Sequence, residues 1–387
     1  MLIRILKVAW RECKIIFHSP MYVLCMFVFP VIVMFLYTMM LEEGHPNDLP
    51  IGIVDQDNTS TTRALIRKLD AFQGVQIKAR YATVAEARHA IQTDDIYAFL
   101  YIPKNMTEEL MASRQPTISY YYSMVPLTSG SFTYKELKTI TSLAAAAVGQ
   151  SVLQAKGATQ QQVMTFLQPI TIDAHFINNP WVNYNYFLSP WLVAGCILTF
   201  VFLLSAYSLG TELKYQRSKE LMQMSGNNMF VVIMGKYLPH TVIHTFVLSF
   251  FMYYLFHTQG FINQGTLWDV VALVGLTVFA SQGFGIFAFG LVPSMRLSMT
   301  ICSLWSVLSF SLCGAGFPLF AMDSPIITIA QLFPLRHYYQ IYHICILNGF
   351  PFVNAIANIV ALLAFTGLPI FLMRRIKMAL NEWTYTD

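Results

Sequence analysis

Six stretches of this chain are long, apolar and empty of Lys and Arg: residues 21–41, 187–209, 237–257, 269–292, 298–321 and 353–373. Each has about the 20 residues that a helix needs to cross a hydrocarbon core. The only acid within them, Asp269, stands at a stretch edge. The pattern predicts an α-helical polytopic membrane protein with six transmembrane helices. Charged residues are 11% of the chain, against roughly a quarter in a soluble domain. That excludes an ordinary cytoplasmic enzyme, a disordered chain and a basic nucleic-acid binder.

The remaining cations predict the orientation, because short loops rich in Lys and Arg stay in the cytoplasm. The segment 1–20 holds Arg4, Lys7, Arg11 and Lys14; the loop 210–236 holds Lys214, Arg217, Lys219 and Lys236. Arg296 sits between spans four and five, and Arg374, Arg375 and Lys377 lie in the tail 374–387. The short segments on the opposite side, 258–268 and 322–352, hold only Arg336. Both termini are therefore expected in the cytoplasm and residues 43–186 outside it. The first span reads as a retained signal anchor, since Met39-Met40-Leu41-Glu42-Glu43 lacks the small residues of a cleavage site.

Residues 43–186 read as an inserted mixed α/β extracytoplasmic domain. Ile51-Gly52-Ile53-Val54 suits a short buried strand, and Asn58 or Thr59 can cap the helix that follows. Val75, Ile77, Ala79 and Tyr81 alternate with polar residues, the period of a half-buried strand. Thr83 and Glu86 have capping-box spacing. Residues 96–102 and 117–122 complete the strands, and 131–168 is helical with a break near Gly157. All six cysteines avoid this domain, so it is expected to fold without a disulfide. Trp181, Tyr184, Tyr186, Phe187 and Trp191 form an aromatic belt where span two begins.

Residues 1–20 predict an amphipathic cytoplasmic helix. Arg4, Lys7, Arg11 and Lys14 share one face, and Ile3, Leu6, Trp10, Cys13 and Phe17 form an adjacent apolar stripe. Such a helix lies along a membrane surface with its cations near anionic lipid; packing against other cytoplasmic segments is the alternative. The segment 212–224 is charged, helical in pattern and closed by Ser225-Gly226-Asn227, which suits contact with lipid headgroups or a cytoplasmic partner. Prolines 318, 325 and 334 divide the apolar segment 322–352 and its approach into pieces, read as re-entrant half-helices buried in protein.

Several chemical motifs are decoys. Asp55-Gln56-Asp57-Asn58-Thr59 follows an apolar strand like the start of a phosphatase that uses an aspartate nucleophile, but Asp94-Asp95 precedes its strand instead of following it. An EF-hand fails as well, because Ile66 stands where the bidentate Glu belongs. His240 and His244 have metal-ligand spacing without an acid or Cys in the same span, so packing or hydrogen bonding is expected there. Glycines 283, 285, 290, 314 and 316 suit close helix contact. No G-x-x-x-x-G-K-[ST] occurs and the spans lack central charges, so energy for uphill transport is expected from another subunit.

Several motifs follow one another in order: Ile53 to Ser60, the run Ala98-Phe99-Leu100-Tyr101-Ile102-Pro103-Lys104, Gly210-Thr211-Glu212 through Lys219-Glu220-Leu221-Met222 to Gly235-Lys236, Gly316-Phe317-Pro318, and Phe333-Pro334-Leu335-Arg336-His337-Tyr338-Tyr339. Together they resemble the type-2 ABC exporter permease family, in its branch with a large extracytoplasmic domain between the first two spans. Ser225-Gly226 replaces the family's Thr-Pro after the coupling helix, and Met106 replaces an aromatic.

The resemblance implies a transmembrane permease subunit moving a hydrophobic or amphipathic substrate outward, in a bacterial inner membrane. The chain would bind no cofactor; ATP and Mg would belong to cytoplasmic ATPase subunits. Glu212, Lys214, Arg217, Lys219, Glu220, Arg4, Lys7 and Arg11 would couple to them. Spans two and five would line the pathway, and Phe317, Pro318, Pro334 and Arg336 would form an outer gate. The implied partners are a second permease copy or close paralogue, membrane lipid and a periplasmic adaptor, with no nucleic acid and no metal. The competing reading is a non-transporting receptor or assembly factor whose exported domain binds a partner.

Overall fold

The computed structural model describes residues 1–112, 114–170, 173, 175, 177–179 and 182–383; Trp181 of the expected aromatic belt lies outside them. Contacts divide the chain into a helical unit, Met1–Glu42 with Ile177–Asp387, and an inserted unit, Glu43–Phe176. The described residues of 177–186, read from sequence with the inserted domain, thus group with the helices, and the second apolar helix already starts at Tyr184.

Among the described residues the helical unit contains six helices long and apolar enough to cross a membrane: Pro20–Met40, Tyr184–Lys214, Met229–His257, Leu267–Leu291, Met295–Leu312 and Phe352–Glu382. The first has a π-helical turn at Leu24–Val28, just before Pro30. A proline lacks the N–H that the preceding turn would accept, and a widened turn absorbs the mismatch. The fourth helix is central. A Cβ at Gly285 would stand 2.6 Å from Cβ of Ser205 on the second helix, and one at Gly283 would stand 2.2 Å from the Phe365 carbonyl oxygen on the sixth. Absent side chains therefore let two backbones approach the fourth helix from different sides.

Several boundaries differ from the sequence expectation. The second and third apolar helices run on to Lys214 and back to Met229, so about half of 210–236 is helix continuous with them. Only the turn at 215–217, the helix Ser218–Met224 and the turn at 225–228 join the two. The fifth helix stops at Leu312 instead of 321. Gly314 adopts φ +91° there, and Pro318 and a 3-10 turn at Leu319–Ala321 follow. The segment beyond holds the short helices Ser324–Ala330 and Pro334–Ile341, a π turn at Tyr342–Leu347 and a return into the sixth helix.

The inserted unit is a four-stranded sheet in the order β2-β1-β3-β4: β1 Leu49–Asp55, β2 Val75–Arg80, β3 Ala98–Ile102 and β4 Ser119–Tyr122. β1 lies parallel to β2 and β3, and β4 returns antiparallel to β3. One face packs Ile51, Ile53, Leu100 and Ile102 against Leu65, Leu69, Leu137 and Ile140 of helices Ser60–Asp70 and Leu127–Ala155. The other packs Val54 and Phe99 against Ala87 and Ala90 of helix Val84–Gln92. Both faces are covered, which explains the continuous apolar run of β1.

The caps follow local chemistry. Thr59, not Asn58, caps its helix in a reciprocal box with Thr62. Thr83 accepts from the Glu86 amide, while the Glu86 carboxylate accepts from Ala82 N–H at 3.1 Å instead of closing the box. Gly157, at φ +84°, separates Leu127–Ala155 from Gln160–Leu167.

Candidate coupling site

The amphipathic segment forms α1, Leu2–His18. It has a third face that the charge pattern conceals. Val8, Ala9, Glu12 and Ile16 are buried, whereas Ile3, Leu6, Trp10 and Phe17 remain exposed. Positions 8, 9, 12 and 16 share one side of a helix. This side lies along the third apolar helix, where a Cβ at Gly235 would stand 2.7 Å from Cβ of Val8. The close approach sets Glu12 against the residue after that glycine.

Lys236, fully buried, is clamped between two carboxylates. Its Nζ donates to Glu12 Oε2 at 2.7 Å and to Glu212 Oε1 at 2.8 Å. Arg11 grips the same Glu212 with both Nη atoms, each at 2.9 Å, the bidentate geometry of a strong charge-assisted pair. Ser208, one turn before Glu212, donates its hydroxyl to Glu12 Oε1 at 2.9 Å. His240 Nε2 lies 3.0 Å from the same oxygen and therefore carries its proton there; Nδ1 has no partner among the described residues. Tyr22 stands edge-on to His240, with ring centroids 5.5 Å apart.

The two anions, Glu12 and Glu212, balance the two cations, Lys236 and Arg11, so the cluster is neutral in total. Burial alone would push the Glu12 carboxyl upward. Lys236 and His240 outweigh it, and the carboxyl is held down to about 2. Glu12 is thus ionised at physiological pH inside the protein. Three separate segments contribute: α1, the end of the second apolar helix and the start of the third. A shift of any one breaks an ion pair in a low-dielectric setting, where an unpaired charge is costly.

The eight residues expected to couple to a partner subunit divide by placement. Arg11 and Glu212 turn inward and are bound to one another. Arg4, Lys7, Lys214, Lys219 and Glu220 are exposed, and Glu220 lies 3.6 Å from Arg11 Nε. Arg217 is half-buried, its guanidinium 5.1 Å from the Tyr215 ring. Of the expected outer residues, Phe317 and Pro318 are exposed beyond the fifth helix. Pro334 is buried at the first turn of Pro334–Ile341, and Arg336 donates to the Gln331 side chain. Next to it, Tyr338 donates to the carbonyl of Pro190 at 3.0 Å, tying this segment to the second apolar helix.

Glu12 and Ser208 are not among the residues expected from the sequence, and Lys236 reads there as a loop charge. One signal was available. Glu12 is the only acid within residues 1–18, about 100° around the helix from Arg11. An isolated carboxylate off the basic face, and an isolated Lys in an apolar helix, are complementary.

The decoy motifs are structural. Asp55 accepts from the amides of Asp57 and Asn58, at 3.0 and 2.9 Å, and from the Thr62 hydroxyl at 2.8 Å. Asp57 accepts from the hydroxyls of Thr59 and Thr107 and from the Thr107 amide. Among the described residues no cluster of His, Cys, Asp and Glu has the grouping to hold a metal.

Six helices long and apolar enough to cross a membrane define a membrane protein. The family model of the ABC-2 family transporter proteins matches residues 21–373, and the chain belongs to that family. It is therefore the membrane component of an ABC transporter, a non-catalytic part that pairs with cytoplasmic ABC ATPase subunits. No curated protein matches the chain. The receptor or assembly-factor reading finds no support.

Proposed function

We propose that this chain is the permease of an ATP-driven exporter, working as a pair with a second copy or close paralogue. It moves a hydrophobic or amphipathic substrate outward across a bacterial plasma membrane. Both termini face the cytoplasm, and the unit Glu43–Phe176 is the extracytoplasmic domain that marks the large-domain branch of the family and offers a surface to a periplasmic adaptor. The excess of Lys and Arg at 1–20, 210–236 and 374–387 supports this orientation.

The observation that carries the reading is the Glu12–Lys236–Glu212–Arg11 cluster. Arg4, Lys7, Lys214, Lys219 and Glu220 form the docking surface for the ATPase, and Arg217 closes its turn. Arg11 and Glu212 receive the displacement, and Lys236 passes it to the third span. ATP binding drives the cycle only by favouring one of two permease arrangements over the other. A neutral, fully paired cluster suits this role, because it resists intermediate positions. At the outer side, Phe317, Pro318, Pro334 and Arg336 border the exit.

The test uses the permease reconstituted with its cognate ATPase. The permease alone hydrolyses no ATP. The double reversal Lys219→Glu with Glu220→Lys leaves the permease folded but abolishes its stimulation of the ATPase. Full stimulation in that variant overturns the docking surface, and inward substrate flux overturns export.

A further inference from the structure

Where α1 meets the first apolar helix, at His18-Ser19-Pro20, the chain turns a corner beside the end of the second apolar helix. A cleft of about 700 Å³ opens there, lined in part by Lys14, Ser19, Tyr22, Thr211, Tyr215 and Arg217. Lys14 and Arg217 bring positive charge, and among the described residues no Asp or Glu contributes to the lining. Glu12, on the helix that borders the cleft, is already held by Lys236, His240 and Ser208.

Two residues of the lining carry buried polar atoms that have no partner among the described residues. Arg217 Nε is buried without a hydrogen bond. The Tyr22 hydroxyl belongs to a residue only 1% exposed; it lies near Ser208 and Thr211 but makes no well-aligned hydrogen bond to either. A buried donor left unsatisfied is costly, so both atoms call for a ligand. The ligand must be anionic, small at its charged end and rich in acceptors, and a phosphate matches the planar donor edge of an arginine.

The outer face of α1 points to the source of that phosphate. Ile3, Leu6, Trp10 and Phe17 project outward, Trp10 being 67% exposed. A helix that is apolar on one side and basic on another lies in the membrane interface, with Trp at headgroup level. The corner closing α1 is therefore level with lipid phosphates. We propose that this cleft is a specific site for the phosphate of an anionic phospholipid, held by Lys14, Arg217 and Tyr22. The proposed orientation is needed only to name the leaflet, which would be the cytoplasmic one. Lipid retention in detergent reads the site without it and without the ATPase.

The full chain, purified in detergent, is equilibrated with equal amounts of phosphatidylglycerol and phosphatidylcholine, and bound lipid is measured by native mass spectrometry. The wild type retains phosphatidylglycerol preferentially. Lys14→Gln with Arg217→Gln lowers its retention about tenfold, the loss of roughly one charge-assisted hydrogen bond. Tyr22→Phe, which leaves packing almost unchanged, lowers it less but measurably. Lys219→Gln, an exposed cation outside the cleft, leaves it unaltered. If the double variant misfolds, Tyr22→Phe decides alone. Equal retention of both lipids by the wild type, or unchanged preference in Tyr22→Phe and in a folded double variant, overturns the proposal. Displacement of the lipid by an equal concentration of inorganic phosphate also overturns it, assigning the cleft to soluble phosphate.

Discussion

Carboxylates do opposite work in the two units. In the inserted unit Asp55 and Asp57 are half-buried and sit at a strand-to-helix turn, accepting from amides and hydroxyls. In the helical unit Glu12 and Glu212 are fully buried and face cations. The first arrangement is partly exposed and repairable by water. The second is assembled from three distant segments and has no solvent to fall back on. The difference teaches that burial, not residue type, decides whether a carboxylate is a cap or a clamp.

The sharpest way to break this contrast is Lys236→Met. It strands Glu12 and Glu212 together, and removing one partner of a buried ion pair costs about 3–5 kcal/mol. A large fall in the melting temperature of the purified chain in detergent is the expected result. An unchanged melt would mean that the cluster is not a closed unit. Acid should act at the same place. The Glu12 carboxyl is held at about 2, well below its ordinary value of 4.5. Its contribution is therefore complete above pH about 4.5 and disappears as pH falls toward 2. Glu12→Gln should flatten that part of the pH–stability profile.

Gly235→Val should come next. Its new side chain meets Val8 and the Ile5 carbonyl, and overpacking of this kind costs about 1–3 kcal/mol. The readout is faster proteolysis within α1, while the inserted unit keeps its protection. Asp57→Ala should cost about 1–2 kcal/mol, confined to the inserted unit and followed by hydrogen exchange at residues 105–111. Burial pushes this carboxyl up, and hydrogen bonds from Thr107 and Thr59 more than offset it. The contribution therefore fades only as pH falls below the ordinary aspartate range. Smallest of all on stability is the Lys219/Glu220 reversal, within about 0.5 kcal/mol for exposed groups. A large loss of stability there would mean that Glu220 belongs to the clamp through Arg11.

Much of the architecture was legible because it follows short-range rules. The alternation of Val75, Ile77 and Ala79 gave β2, and Gly157 marked the break before Gln160–Leu167. The stop of the fifth helix at Leu312 was harder to read, since Leu, Cys and Ala continue the apolar run past it. Gly314 in a left-handed conformation ends the helix, and hydropathy carries no information about backbone angle. Arg11 and Glu212 were visible as charges, but their direction was not. An amphipathic helix with a basic face reads as a surface element until something is found to bury its remaining side.

The sequence by itself determined that six apolar helices form, which segments between them carry the cations, and where the inserted strands lie. These are properties of composition and period, decided within a few turns of chain. Only the tertiary structure decided that Glu12 meets Lys236, across 224 positions. That pairing depends on Gly235 letting α1 come close enough for two buried charges to neutralise each other, and no local pattern encodes the distance.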